Sequence, residues 1–176
     1  MLKLPIHSTV QFVLVTPHYP ENVGAAARAI KTMGFSRLAL VKPGRLAVPE
    51  HEMAHRMAVK AWDVLQNAVV YSSVEEAVNG ADIVAATTSR RGVSGILNAR
   101  QFASVAVDAA ACQKQVTVLF GNEKTGLSSD TVDQLDIRIR IPMAADQPSV
   151  NLAQAIQIVA YELFVTALDR RANTVL

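Results

Sequence analysis

Short apolar runs of strand length alternate with helical segments along nearly the whole chain. The strand-like runs are 11–15, 38–41, 69–71, 83–86, 116–120 and 137–141. Helical periodicity fills the intervals, in 22–33, 50–66, 74–79, 100–112 and 150–170. Strands that alternate with helices favour a mainly parallel sheet covered by helices on both faces. With no repeat or linker in the sequence, we expect a single α/β domain spanning residues 1–176.

Composition limits the class of protein more than it identifies a function. The chain has 176 residues, of which 51% are hydrophobic and 18% charged, and this excludes a disordered polyelectrolyte. Its net charge of +2 does not by itself indicate a nucleic-acid partner. A single cysteine, Cys112, excludes an internal disulfide, and we expect it to be buried as a small hydrophobic residue.

The sequence has no segment that resembles a membrane anchor or a signal peptide. Its N-terminus lacks an apolar core of signal-peptide length, and no uncharged run reaches the length that crosses a bilayer. We therefore expect a cytoplasmic protein without a membrane partner.

Three polar segments each follow a strand-like run and contain the candidate functional residues. They are 20–31, 119–127 and 141–155, and a fourth polar loop, Thr87-Thr-Ser-Arg-Arg, follows the run 83–86. In open α/β sheets, ligands bind beyond the carboxyl ends of the strands. The sequence therefore predicts that these segments meet in one site.

The segment 141–155 leads from the last strand into a long final helix. Pro148 disfavours helix for the residue before it, and the Ser149 hydroxyl can cap the first turn, so the helix should begin at about Val150. Apolar residues cover most of the circumference of this helix, which is typical of a helix buried on more than one side. We expect it to pack against a second subunit.

The helix predicted at 22–33 has an apolar face and a separate polar flank. Asn22 occupies the position expected of an N-cap, and Gly34 that of the C-terminal stop. Gly24, Arg28 and Lys31 lie together on the flank, at spacings of four and three. A glycine beside two cations allows another backbone or a phosphate to come close.

Two further motifs suggest chemistries that the rest of the sequence does not support. His51-Glu-Met-Ala-His55 matches the zinc-hydrolase pattern, but neither of the other two histidines, His7 and His18, has the context of a third ligand. We expect solvated helix residues there and no metal requirement. The loop 121–126 has the glycine spacing of a phosphate loop, yet Leu127 replaces the essential lysine. A nucleotide triphosphatase is therefore disfavoured.

Taken together, the polar segments resemble the SPOUT class of RNA methyltransferases, and within it the TrmH (SpoU) family. The resemblance rests on Asn22-Val-Gly-Ala-Ala-Ala-Arg28, on Leu119-Phe-Gly-Asn-Glu123 with Gly126-Leu127, on Ile141-Pro-Met with Ser149-Val-Asn-Leu-Ala153, and on the Thr-Ser-Arg loop. These segments span nearly the whole chain in the order of the family. The first of them, followed by Lys-Thr-Met-Gly-Phe, is most similar to the TrmJ branch.

The resemblance implies a fold and an activity that composition could not have shown. It implies a C-terminal trefoil knot, an obligate homodimer, bound S-adenosylmethionine, and methylation of the ribose 2′-hydroxyl at position 32 of tRNA. The TrmJ branch usually carries a C-terminal extension, so this chain resembles either a separate catalytic domain or a short relative with another target. The alternatives are a methyltransferase for ribosomal RNA or another tRNA position, a non-catalytic RNA-binding dimer, and the zinc hydrolase on His51, Glu52 and His55.

The resemblance also assigns roles to individual residues. The catalytic group is Arg28, assisted by Asn22, Glu123, Ser149 and Asn151. Because guanidinium stays protonated in proteins, we expect Arg28 to hold a phosphate and stabilise alkoxide charge rather than act as a base. The residues expected to contact RNA are Arg28, Lys31, Arg90 and Arg91. The residues expected to bind the cofactor are Thr87, Thr88, Ser89, Gly121, Asn122, Glu123, Gly126, Leu127, Ile141, Met143, Ser149, Asn151 and Leu152.

Overall fold

A computed structural model of the chain describes residues 2–90, 94–135, 137–145, 147 and 149–174. The strands are β1 (Val10–Val15), β2 (Leu38–Val41), β3 (Val69–Tyr71), β4 (Ile83–Thr87), β5 (Ile96–Asn98), β6 (Val116–Phe120) and β7 (Ile137–Arg140). The helices are α1 (Ile6–Thr9), α2 (Pro20–Thr32), α3 (Glu52–Ala58), α4 (Trp62–Gln66), α5 (Val74–Val78), α6 (Ala99–Ala111), α7 (Ser129–Asp133) and α8 (Leu152–Thr174).

The seven strands form one sheet in which every pairing is parallel. Their order is β3-β2-β1-β6-β4-β7-β5. The central strands β2 and β6 are buried along their whole length, as expected of parallel strands covered on both faces. The predicted α/β fold with a parallel sheet is thereby confirmed.

Alternate side chains of the strands enter two separate cores, one on each face of the sheet. Phe12 and Leu14 of β1 pack into the larger core together with side chains of α2, α6 and α8. Val13, between them in sequence, joins the smaller core, to which α5 contributes Ala77 and α7 contributes Val132. Helices therefore cover both faces, as predicted.

The strand order has a consequence for how the chain threads. Strands β4 and β5 are consecutive in the chain, yet β7 lies between them in the sheet. Between the end of β4 and the start of β5 the chain therefore passes from one side of β7 to the other. The predicted trefoil knot requires a crossing of this kind in the C-terminal half. The strand order is consistent with the knot, which stays a prediction.

Helix α8 packs against α2 and α6 within the chain. Its side chains Ile156, Val159 and Leu163 are fully buried, whereas Tyr161 on another side is 50% exposed. By length and composition alone, Leu152–Asn173 would suffice to cross a membrane. One side of the helix lies in the core of the α/β fold, and core packing accounts for the apolar residues on that side. The expected contact with a second subunit stays a prediction.

The expectations of a single helix at 50–66 and of a buried Cys112 were wrong, and the short elements α1, β5 and α7 were not predicted. Residues 50–66 form two helices, because Val59 has φ +53° and ends α3. Strand β5 was not predicted, since its three residues are too few to show a period. Cys112 is exposed rather than buried, because it lies at the C-terminal end of α6 where Gln113, with φ +59°, turns the chain away.

We expect His7 to make folding sensitive to acid. Its ring packs between Phe35 and Phe164, with centroid distances of 5.2 and 6.1 Å. Burial lowers the pKa of His7 below its ordinary value, and the backbone carbonyl of Met33 offsets this only in part. Below a pH of about 6.5, His7 therefore becomes protonated in the unfolded chain more readily than in the folded chain. The free energy of unfolding consequently decreases as the pH is lowered.

Urea unfolding of the wild type and of His7→Phe at pH 7.5 and at pH 5.5 measures this effect. We expect the wild type to lose more stability than the variant between the two pH values, because the variant has no imidazole at this position. Equal losses would show that His7 does not contribute to the acid sensitivity.

Candidate functional site

A pocket of about 290 Å³ lies beyond the carboxyl ends of three adjacent strands, β6, β4 and β7. The loop that follows each strand supplies part of its wall: residues 121–127 after β6, residues 88–90 after β4, and Ile141, Met143, Ser149 and Val150 after β7. These loops are separate in the chain, but their strands are neighbours in the sheet. The structure thus brings together the polar segments that the sequence placed at strand ends.

Most of the residues expected to bind the cofactor line this pocket. They are Thr87, Thr88, Ser89, Gly121, Asn122, Glu123, Gly126, Leu127, Ile141, Met143, Ser149 and Leu152. Asn151 does not line it and instead lies behind the wall, in contact with α2. Arg90, which was expected to contact RNA, also lines the pocket. The other lining residues that were not predicted are Phe120, Lys124, Thr125, Val132, Ile139, Val150 and Ala155. Phe120 is the last residue of β6, and this position at the end of a strand could have identified it.

The loop after β6 folds back on itself, and its two glycines make this possible. Asn122 and Gly126 exchange backbone hydrogen bonds, of 3.2 Å from the Asn122 amide and 2.8 Å from the Gly126 amide. A Cβ on Gly121 would lie 2.3 Å from the backbone of Gly126, and Gly126 itself has φ +69°. The glycine spacing that resembled a phosphate loop is thus accounted for by the turn itself.

Glu123, in this loop, connects the pocket to the N-terminus of α2. Its Oε2 accepts a hydrogen bond from the backbone amide of His18 at 2.9 Å, and its Oε1 accepts one from that of Tyr19 at 3.3 Å. Oε1 also accepts from Nδ2 of Asn22 at 2.8 Å. A carboxylate at a helix N-terminus is favoured by the free amides and the helix dipole there. Glu123 therefore fixes the pocket loop against α2.

Asn22 and Asn151 extend this connection to the final helix. Nδ2 of Asn151 donates to Oδ1 of Asn22 at 3.1 Å, and Oδ1 of Asn151 accepts from the amides of Ala153 and Gln154. Asn151 is thus the side chain that caps α8, whereas the sequence indicated Ser149. The interpretation of Asn22 as an N-cap was also wrong, since α2 begins at Pro20 and Asn22 lies in its first turn.

Glu123, Asn22 and Asn151 therefore form a continuous hydrogen-bonded series from the β6 loop, across α2, to the start of α8. Ser149, the fourth of the assisting residues, has an exposed side chain and faces the pocket. The predicted catalytic residues other than Arg28 are thus brought to one place.

The four residues expected to contact RNA lie in different settings. Arg28 is exposed on α2 and does not line the pocket, and its side chain forms no ion pair or hydrogen bond within the described part of the chain. Lys31 is paired with Asp63 and also donates to the carbonyl of Lys60 at 2.8 Å. Arg90 donates to Ser129 and to the carbonyl of Leu127 at the pocket wall. Arg91 lies outside the described residues.

Gly24, on the same flank of α2, serves helix packing. A Cβ added there would lie 2.0 Å from the carbonyl oxygen of Ala54 in α3. The sequence suggested that either another backbone or a phosphate comes close to Gly24. The structure shows the close approach of a backbone, that of α3.

The histidine motif at α3 has a structural use. Nδ1 of His51 accepts a hydrogen bond from the amide of Met53 at 3.1 Å and caps the helix, while the His55 ring packs edge-on against Trp62. Within residues 2–90, 94–135, 137–145, 147 and 149–174, no group of three or more His, Cys, Asp or Glu side chains is placed to hold a metal ion. We find no support for the zinc-hydrolase alternative in this arrangement.

We expect the Glu123→Gln variant to be destabilised by about 1–2 kcal/mol and to weaken ligand binding in the pocket. The amide offers one acceptor oxygen where the carboxylate accepts three hydrogen bonds, and hydrogen bonds to a charged group are the stronger ones. Partial exposure of Glu123 keeps the effect below that of a buried charge.

Urea unfolding measures the loss of stability, and calorimetric titration with S-adenosylmethionine measures the effect on the pocket. Glu75→Gln is a matched control, because Glu75 is exposed on α5, which packs on the face of the sheet opposite to α2. This replacement should change neither the stability nor the cofactor affinity. Equal stability of the two variants would contradict the role given to Glu123.

Known proteins are similar to this chain in both sequence and fold. A profile of the SpoU rRNA Methylase family matches residues 9–161. A tRNA (cytidine/uridine-2′-O-)-methyltransferase TrmJ from Pectobacterium atrosepticum is 35% identical over 162 residues, which cover 92% of this chain and 66% of that protein. The chain therefore spans just under two thirds of the length of this relative.

Two solved structures extend the comparison to the fold. A probable methyltransferase from Bordetella pertussis Tohama I superposes with a TM-score of 0.87 at 33% identity, covering 92% of this chain and 98% of that one. TrmJ from Z. mobilis ZM4 superposes with a TM-score of 0.78 at 34% identity, covering 88% and 68%.

An all-parallel α/β sheet with a pocket formed by the loops after β4, β6 and β7 is the architecture of the SPOUT class. Within that class, the profile match over residues 9–161 decides the assignment. The chain belongs to the SpoU rRNA methylase family, and the resemblance drawn from its motifs is confirmed.

Proposed function

We propose that the chain transfers a methyl group from S-adenosylmethionine to a ribose 2′-hydroxyl of tRNA, with position 32 as the expected target, and that it acts as a cytoplasmic homodimer. The observation that carries this proposal is the pocket at the ends of β4, β6 and β7, joined to α2 and α8 through Glu123, Asn22 and Asn151. The relatives that match most of this chain include tRNA 2′-O-methyltransferases.

The residues of the pocket fit the proposed cofactor. Phe120, Leu127, Ile139 and Leu152 provide apolar surface for an adenine ring, while Thr88, Ser89 and Ser149 provide hydroxyl groups. The volume of about 290 Å³ is at the lower end of the range for small-molecule sites. When bound, S-adenosylmethionine supplies an electrophilic methyl group on a sulfonium.

The side chains of the protein would orient the hydroxyl and manage its charge. Arg28 would hold a phosphate beside the target ribose and stabilise the negative charge that develops on the 2′-oxygen. Glu123 and Asn22 would fix the position of α2, and hence of Arg28, relative to the pocket. Ser149, whose exposed side chain has no hydrogen-bond partner within the described residues, can donate to or accept from the ribose.

A homodimer is supported by the apolar residues that lie on the side of α8 facing away from the core. One side lies in the core, while Tyr161 on the opposite side is 50% exposed, and Ile158, Phe164 and Val165 are only partly buried. A second copy of the chain would cover this apolar surface. Arg28 lies outside the pocket of its own chain, so a dimer could also bring it to the pocket of the partner.

The test is transfer of labelled methyl from S-adenosylmethionine to unmodified tRNA, followed by digestion to nucleosides. We expect label in 2′-O-methylated nucleosides. A matched tRNA with a 2′-deoxy nucleotide at position 32 lacks only the acceptor oxygen, and it should take up no label if that position is the target.

Each result separates the alternatives. Label in the deoxy-substituted tRNA would place the target elsewhere in tRNA, and label only in ribosomal RNA would change the substrate. Label in a base would contradict ribose methylation. Absence of label in every RNA, once calorimetry has shown cofactor binding, would support a non-catalytic RNA-binding dimer.

A further inference from the structure

An exposed aromatic and cationic surface lies at the junction of α3 and α4, outside the pocket. Trp62 is 48% exposed, and its ring packs edge-on against His55 with the centroids 4.2 Å apart. Val59 and Met57 beside it are 47% and 39% exposed. We call this surface the Trp62 patch, and it consists of His55, Arg56, Met57, Val59, Lys60 and Trp62.

An exposed tryptophan of this kind requires an explanation, because α4 has a well-defined buried side. Val64 and Leu65 are each 1% exposed and pack in the larger core, so the helix docks without any contribution from Trp62. The ring is held by His55, and Val59, with φ +53°, ends α3 three residues before it. A large rigid ring that is oriented but uncovered is suited to contact a flat partner.

The charges around the ring indicate what kind of partner it contacts. Arg56 and Lys60 are exposed on either side of Val59, and neither is paired with a carboxylate within the described residues. Lys31 of α2 donates to the carbonyl of Lys60 and is itself paired with Asp63, so Arg56 and Lys60 carry the unpaired positive charge of the patch. Cations that flank an exposed aromatic ring complement a polyanion whose bases can stack.

The patch lies at a distance from the site that a few nucleotides can span. Asn22, at the site, and Lys31, at the patch, are nine residues apart on α2, which corresponds to about 14 Å along the helix axis. Arg28 lies between them on the same helix. A single-stranded segment that places one ribose at the pocket can therefore reach Trp62 with a nucleotide a few positions away.

From this arrangement we infer that Trp62 is a stacking platform for an unpaired base of the substrate RNA, with Arg56 and Lys60 binding the adjacent phosphates. This inference rests on the proposed function, because it takes the substrate to be RNA. It adds a recognition surface outside the pocket that can hold an unpaired base of any type, because stacking uses the face that all bases share.

The chain contains one tryptophan, so its fluorescence reports on the patch without any label. Titration of the full chain with unmodified tRNA should quench the emission and protect it from acrylamide, because a stacked base covers the ring. Filter binding in the same buffer measures the affinity independently.

Variants separate stacking from simple loss of an apolar side chain. Trp62→Ala should weaken tRNA binding about ten-fold, and Trp62→Phe, which keeps an aromatic face, should weaken it less than three-fold, in line with the measured strength of base stacking. Val70→Ala, which shortens another exposed apolar side chain on β3, should leave binding unchanged. Lys60→Ala should lower the salt dependence of binding by about one phosphate contact.

The outcomes distinguish this inference from the proposed function. If tRNA binds and is methylated while the emission and its acrylamide quenching stay constant, the platform is wrong and the proposed function stands. Equal weakening by Trp62→Phe and Trp62→Ala would also overturn stacking. If the emission changes with protein concentration alone and does not respond to tRNA, a second copy covers the patch and the inference fails. If no RNA binds at all, both proposals fail.

Discussion

Replacement of Arg28 by alanine is expected to lower the rate constant of methyl transfer by about a thousand-fold, while binding of S-adenosylmethionine stays within a factor of two of the wild type. Loss of a positioned group that stabilises developing oxyanion charge typically has an effect of about 10²–10³-fold. Arg28 does not line the pocket and has no partner in the described part of the chain, so its removal should leave the cofactor site and the fold intact.

The measurement is a single-turnover assay with labelled cofactor and unmodified tRNA, with calorimetry for cofactor affinity. Arg28→Lys keeps the charge but loses the planar fork that matches a phosphate, so we expect an intermediate rate. Arg171→Ala is a control for loss of one positive charge, since Arg171 is exposed in the last turn of α8. A loss below ten-fold for Arg28→Ala, or an equal loss for Arg171→Ala, would contradict the role of Arg28.

The edge of the sheet at which the site lies could be predicted from sequence, because that edge does not depend on the strand order. In a parallel sheet every carboxyl end lies at the same edge, so the polar residues after Ala86, Phe120 and Arg140 had to lie along that edge. What the sequence did not show is that β4, β6 and β7 are direct neighbours. That adjacency depends on the insertion of β7 between β4 and β5, and no local pattern encodes it.

The hydrogen-bonded series at the site could not be predicted for a different reason. Glu123 and Asn22 are 101 residues apart, and both residues also suit local roles, in a turn and in a helix cap. Asn22 was therefore assigned to its own helix, although its amide joins Glu123 to Asn151. Ser149 and Asn151 are both residue types that commonly cap helices, so the sequence does not distinguish them. In the structure Asn151 is the cap, and its side chain is held there by the hydrogen bond to Asn22 of α2.

A second large effect is expected at Arg138, which the sequence analysis placed in the last strand without a role. The residue is 9% exposed, and it belongs to β7, between β4 and β5 in the sheet. Nε donates to the carbonyl of Val132 at 3.0 Å, and the two terminal nitrogens donate to those of Asp133 and Ser94, each at 3.1 Å. Arg138 therefore ties the end of α7 to the β4–β5 connection.

We expect Arg138→Met to reduce the free energy of unfolding by about 3 kcal/mol and to lower Tm by about 10 °C. Methionine retains the apolar length of the side chain, so the loss comes from three carbonyl oxygens that are left without their donor. Urea unfolding and a thermal scan measure the two quantities. Arg140→Met, on the same strand, is the control, because the Arg140 side chain is partly exposed and forms no hydrogen bond or ion pair within the described residues.

The same variant tests whether the β4–β5 connection and the pocket depend on one another. Thr88, Ser89 and Arg90 line the pocket and belong to the connection that Arg138 holds at Ser94. We therefore expect Arg138→Met to weaken cofactor binding at a temperature where the variant is still fully folded, and Arg140→Met to leave it unchanged. Unchanged affinity in Arg138→Met would show that the wall of the pocket is held by its other contacts, chiefly those of Arg90 with Leu127 and Ser129.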